Sequence, residues 1–122
     1  MRILLVDDSP GVRGRLAAML REHPGNEVCE AADAGEAIAA VSARSFDVIV
    51  LDVHLPGASG LDVLSHLRAS ATDVTAIVLT NDPSETHRRE SLLRGADHFL
   101  DKSRDFEEVV AIVRETAGRS GA

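Results

Sequence analysis

Ile3-Leu4-Leu5-Val6-Asp7-Asp8-Ser9-Pro10 reads as four aliphatic residues, two acids and the start of a helix. A strand covered on one face alternates apolar with polar. A continuous apolar run suits a short parallel strand covered on both faces. Ser9 is placed to act as an N-cap, with Pro10 at the first helical position, where its missing N–H costs nothing. The stretch therefore reads as a buried strand running into a helix, with two carboxylates at the junction.

The same grammar recurs along the chain. Val48–Leu51 ends in Asp52, Ala76–Leu79 ends in Thr80, and Phe99-Leu100 is followed closely by Lys102. A weaker strand candidate is Glu27–Ala32, around Val28 and Cys29. Helical patterns fill the gaps. Leu16, Met19 and Leu20 share one face, and Pro24-Gly25 ends that helix. Asp33 and Glu36 have capping-box spacing ahead of Ala37, Ile38 and Val41. Ser59 can cap a helix carrying Leu61, Leu64 and Leu67, and Asp105 with Glu108 repeats the box before Val109, Val110 and Val113. The segment Pro83–Leu93 is a helix with almost no apolar face before Leu92, closed by Gly95. Five alternating strand–helix units predict an α/β, (βα)5 flavodoxin-like three-layer sandwich with a parallel sheet of order 2-1-3-4-5. One domain over residues 1–118 and a short C-terminal tail over 119–122 are expected.

The composition narrows the function classes. At 122 residues with 44% apolar content, the chain can bury a core, which must be aliphatic because the only aromatics are three Phe. The net charge of −7 argues against direct nucleic-acid binding and against docking on an anionic membrane. No stretch approaches the length of a membrane span. Cys29 is the sole cysteine, so no internal disulfide forms, and a cytoplasmic location is expected.

In an open parallel sheet, ligands bind beyond the carboxyl ends of the strands, where the strand order reverses. Between strands one and three, that point gathers Asp7 and Asp8 beside Asp52, with Thr80 one strand away and Lys102 two strands away. Three carboxylates in one crevice repel one another, and a cation is one remedy. Mg²⁺ suits this, since it takes oxygen ligands and is often held by one or two carboxylates with a phosphate. A carboxylate is already ionised at neutral pH and needs no general base to act as a nucleophile. Phosphoryl transfer to Asp52 then requires in-line positioning and charge neutralisation, the latter from Mg²⁺ and the Lys102 ammonium, with the Thr80 hydroxyl on a phosphoryl oxygen.

Val6-Asp7-Asp8-Ser9, Asp52-Val-His-Leu55-Pro56 with Gly60 after it, Leu79-Thr80, Gly95-Ala96-Asp97 and Phe99-Leu-Asp-Lys102 together carry a family resemblance. Along nearly its whole length the chain resembles the receiver domain of bacterial two-component response regulators. The resemblance implies Asp52 as phosphoacceptor, and Asp7, Asp8, Asp52 and the His54 backbone carbonyl as the Mg²⁺ pocket. It implies Lys102 as the phosphate contact and Thr80 with Phe99 as the conformational pair. The donor would be a phosphohistidine on a sensor histidine kinase or a histidine phosphotransfer protein, and the readout would control an unspecified downstream protein through the fourth helix and fifth strand. Three positions depart from the commonest pattern. Ser103 follows Lys102 where the family often has Pro, and a cis peptide there without Pro costs about 3 kcal/mol. Asn81 stands where a small residue is usual, and Phe99 replaces a frequent Tyr.

Other readings compete. Asp-Asp after a strand is commonly a cap or a turn, Thr80 commonly closes a strand on its own backbone, and Phe99 can be plain core. Val12, one turn after Asp8, is expected with Arg15 to meet the kinase, with core packing as the competing role for Val12. His23, His66, His87 and His98 have no metal-ligand spacing and read as surface or packing residues. His54 is expected at the pocket rim, and Cys29 in the core. As whole-protein alternatives stand a pseudo-receiver interaction module, a receiver cut from a longer DNA-binding regulator, an aspartyl phosphatase (which would want a second acid at His54), and a nucleotide or flavin binder, for which no Gly-rich loop follows the first strand.

Overall fold

The computed structural model describes residues 1–70 and 73–120, the last two by backbone alone. Five strands alternate with five helices: β1 Arg2–Val6, α1 Pro10–Arg21, β2 Glu27–Ala31, α2 Ala34–Ala43, β3 Val48–Leu51, α3 Gly60–Ser70, β4 Thr75–Thr80, α4 Glu85–Leu93, β5 His98–Asp101 and α5 Phe106–Ser120. All pairings are parallel, in the order β2-β1-β3-β4-β5. The expected α/β (βα)5 sheet order is therefore observed.

The central strands are apolar on both faces because each face has its own core. Leu4, Val6, Ile49, Leu51, Ala76 and Val78 face α2 and α3. Ile3, Leu5, Val48, Val50, Ile77 and Leu79 face α1 and α5. The edge strands β2 and β5 are only partly covered, which is why the apolar run of β2 is weak and that of β5 is short.

The caps mostly follow the sequence reading. Ser9 accepts the Val12 N–H, and Asp33 Oδ1 accepts the Glu36 N–H at 2.8 Å. Glu36 reaches back to the Ala32 N–H, one residue before the cap. Asp105 departs from its expected box, its Oδ2 accepting from the Asp101 N–H at 2.8 Å and so tightening the turn ahead of α5. Helix α4 starts two residues later than expected because Ser84 is its cap, taking the His87 N–H at 3.1 Å. Its end is a Schellman motif. Ala96 N–H donates to Ser91 O, Gly95 N–H donates to Leu92 O, and Gly95 takes φ +105°. Helix α5 runs through Ser120, past the boundary expected at 118, and the remainder of the 119–122 tail lies outside the described residues. Among the described residues, no helix is long and apolar enough to cross a membrane.

Candidate functional site

The register brings the ends of β1 and β3 together. Val6 lies opposite Leu51 and the Asp52 N–H donates to Val6 O at 3.2 Å, so Asp7 and Asp52 leave the sheet side by side. Each is only 5% exposed. Lys102 Nζ lies 2.6 Å from Asp7 Oδ2 and 2.5 Å from Asp52 Oδ2. The other oxygens are held by backbone: Asp7 Oδ1 takes the Ser9 N–H at 2.9 Å, and Asp52 Oδ1 takes the His54 N–H at 3.1 Å. Burial pulls the Lys102 pKa down, but hydrogen bonds and charge from Asp52 and Asp7 outweigh it and raise the pKa above 10.5. Lys102 is the only lysine in the chain.

Asp8 is exposed beside this pair and lines a cavity of about 390 Å³ with Val53, His54, Ser59 and His87. Its carboxylate has no hydrogen bond or ion pair among the described residues. Three carboxylates against one ammonium leave two uncompensated negative charges on hard oxygen donors. That donor set fits Mg²⁺, and a free acid at the cavity mouth suits an ion that keeps several waters.

Gly60 is what lets α3 rest on the strand end. Its N–H donates to Val53 O at 2.9 Å, and a Cβ there would fall 1.9 Å from Asp52 O. Thr80 is fully buried, its hydroxyl accepts the Asp82 N–H at 3.1 Å, and its carbonyl accepts the Lys102 N–H at 2.8 Å. The local turn bond anticipated for Thr80 is thus formed. Val78 lies opposite Phe99 and Thr80 opposite Asp101, so Thr80 and Phe99 share one sheet face, diagonally across β4 and β5. Phe99 is half-buried against the α2/α3-side core.

The remaining expected residues fall as follows. Val12 is half-buried against the α1/α5-side core. Arg15 stacks its guanidinium on Phe106 of α5, 4.5 Å from the ring centroid. Asn81 is exposed, and Cys29 is half-buried with its Sγ accepting from Arg44 at 3.4 Å. There is no cis peptide among the described residues. Ser103 instead donates its N–H and its hydroxyl to Asp101 Oδ1, at 2.9 and 2.7 Å, lowering the Asp101 pKa.

Three features escaped the sequence reading. Arg68 of α3 donates to Gly95 O, Val74 O and Asp97 Oδ2, clamping α3 to the α4–β5 turn. Ser91 is the one buried residue of α4, and its hydroxyl has no partner among the described residues. His87, read as a surface or packing residue, meets His54 and Asp82 at the pocket rim. His54 follows β3 while Asp82 and His87 follow β4, and the pairing of those two strands brings the three together, so no sequence spacing announces them.

A family model described as the response regulator receiver domain matches residues 3–114. The chain is 37% identical over 119 residues to a probable transcriptional regulatory protein, TcrX, of Mycobacterium tuberculosis, covering 98% of this chain and 50% of that protein. The chain thus spans about half the length of the curated relatives it matches. Among solved structures, the response regulator TrrA of Thermotoga maritima in complex with Mg²⁺-BeF is 33% identical with a TM-score of 0.82, over 94% of this chain and 97% of that one. A response regulator of Burkholderia pseudomallei with a phosphorylated aspartic acid and a calcium ion is 32% identical with a TM-score of 0.83, over 90% of this chain and 64% of that one. The order of the sheet, the acids at its switch point and these matches agree: the chain belongs to the response regulator receiver domain family of two-component systems.

Proposed function

We propose that Asp52 is the phosphoacceptor. The observation that carries this is the convergence of Asp7, Asp52 and the single lysine at the carboxyl ends of the strands, with Asp8 lining the adjoining cavity. In the transfer, an Asp52 carboxylate oxygen bonds to the phosphorus of a phosphohistidine. The P–N bond breaks, its electron pair stays on the imidazole, and an acyl phosphate remains on Asp52. Mg²⁺, held by Asp7, Asp8, Asp52 and the His54 carbonyl, supplies charge neutralisation when bound. Lys102 moves its ammonium from the shared carboxylates to a phosphoryl oxygen, and Thr80 exchanges its turn bond for another. The donor is a sensor histidine kinase or histidine phosphotransfer protein that docks near α1, where Val12 and Arg15 lie.

The readout runs through α4 and β5. Helix α4 buries one residue, Ser91, with an unpartnered hydroxyl, and it carries the exposed Leu92 and Leu93, 40% and 75% exposed. Segments with few buried contacts open most readily. A Thr80 hydroxyl drawn toward the phosphoryl group vacates space on the face it shares with Phe99, and repacking there shifts the α4 equilibrium. The half-length match to proteins named as transcriptional regulators favours, as a second reading, a DNA-binding partner or region under this control.

Incubation with acetyl phosphate and Mg²⁺ tests the acceptor, giving an acid-stable, base-labile adduct that Asp52→Asn lacks. Full labelling of that variant overturns the assignment. Beryllofluoride should shift backbone NMR signals over 81–103 more than over 34–44, and Thr80→Ala should shrink the distal changes. Distal changes of full size in Thr80→Ala would exclude this coupling route.

A further inference from the structure

Two imidazoles and a carboxylate converge at the rim of the pocket, outside the acids discussed above. His54 Nε2 lies 3.3 Å from Asp82 Oδ2, and His87 Nδ1 lies 3.2 Å from the same oxygen. All three ligand atoms are within 4.8 Å of one another. The rings meet edge to face, with centroids 5.2 Å apart. The residues come from different places: His54 from the loop after β3, Asp82 from the loop after β4, and His87 from the first turn of α4.

We propose that His54, Asp82 and His87 form a binding site for a borderline divalent transition-metal ion of the Zn²⁺ class. Nitrogen and carboxylate ligands sit about 2.0–2.2 Å from Zn²⁺, which places the ligands of a tetrahedral site about 3.3 Å apart. Two of the three edges already have that length. The third closes by rotation of His54, whose side chain is 62% exposed. Imidazole distinguishes this site from the pocket of Asp7, Asp8 and Asp52, because nitrogen ligands suit Zn²⁺, Ni²⁺ and Cu²⁺ while all-oxygen sets suit Mg²⁺. Both imidazoles line the 390 Å³ cavity that also holds Asp8, so the remaining coordination positions open onto solvent and the chain's negative charge favours the cation. His87 Nδ1 also lies 3.0 Å from Asp82 O, a carbonyl that only an N–H can bond, so ligation through Nδ1 gives up that hydrogen bond and moves the proton to Nε2. A bound ion joins the residue two after Asp52 to the residue two after Thr80 and to α4, so it spans the mouth of the pocket.

The test is a Co²⁺ titration of the full chain followed by visible d–d absorption, repeated with Zn²⁺ in competition, both in a large excess of Mg²⁺ to fill the all-oxygen pocket. The expected result is one ion per chain. Outer-sphere partners of metal ligands are worth about 10–100-fold in affinity, so losing a ligand itself weakens binding at least about tenfold. His54→Gln, Asp82→Asn and His87→Gln should each do so, while His66→Gln, on α3, should not. Metal-free melting curves of the variants, superimposable on wild type, separate lost ligation from misfolding. Undiminished binding in the His54→Gln/His87→Gln double variant overturns the site. So does displacement of Co²⁺ by Mg²⁺, or an absence of binding, which would leave the cluster a hydrogen-bonded His–Asp–His chain.

Discussion

Gly60→Ala is the substitution whose effect the structure defines most closely. The added Cβ falls 1.9 Å from Asp52 O, and real Cβ contacts essentially never come inside 3.0 Å, so α3 must retreat by about 1.1 Å (3.0 − 1.9). The neighbour is backbone and cannot rotate away. Forcing extra volume into a packed site costs about 1–3 kcal/mol. The same retreat stretches the 2.9 Å Gly60 N–H to Val53 O bond, worth about 0.5–1.5 kcal/mol. The better helix propensity of Ala returns at most about 1 kcal/mol. The net loss is about 2.5 kcal/mol. With an unfolding entropy of about 2.1 cal/mol/K per residue over 122 residues, that lowers Tm by about 10 °C. Gly14→Ala is the matched control, since its Cβ meets nothing within 4 Å inside α1. It should gain about 0.5–1 kcal/mol, raising Tm by about 2–4 °C. Far-UV circular dichroism melts read both, and acetyl-phosphate labelling reports the displaced Asp52 in the first. Melting of Gly60→Ala within about 2 °C of wild type would refute the close-approach argument.

Three further outcomes are expected. A lysine whose folded pKa is raised stabilises fully below its unfolded value of 10.5, and that stability is lost as pH climbs through the raised value. With one lysine and no tyrosine, melts between about pH 10 and 12 report Lys102, and Lys102→Met should abolish that alkaline slope while costing about 3 kcal/mol at neutral pH, partly restored by Mg²⁺. Ser91→Ala removes a buried hydroxyl without a partner, so it should stabilise the protein by about 1 kcal/mol and damp the beryllofluoride response over α4, whereas a lower Tm would show that the hydroxyl is satisfied. The hydrogen bonds from Ser103 lower the Asp101 pKa, so their stabilisation is present above the unfolded value of 3.8 and lost as pH falls through the depressed one. The Tm deficit of Ser103→Ala should therefore be visible at neutral pH and shrink toward pH 3, and a deficit that grows on acidification would contradict the assignment.

Local pattern is enough to specify the alternation of strands and helices, the parallel sheet and the acids at its switch point. Central strands such as Ile3–Val6 and Val48–Leu51 must be apolar on both faces, and that requirement is written as an uninterrupted run. Ser9 and Asp33 cap through bonds that span three residues, so they too were legible locally. The sequence also places Lys102 at this site, and the tertiary structure adds that its ammonium bridges Asp7 and Asp52 together. Lys102 lies two strands from Asp52 and three from Asp7, and that both carboxylates share one ammonium is not visible in a list of residues. Tertiary structure alone set Arg68 across the α4–β5 turn and drew His54 to Asp82 and His87. Those contacts depend on where chain crossings bring loops back together, and side chains that meet through a crossing leave no period in the sequence.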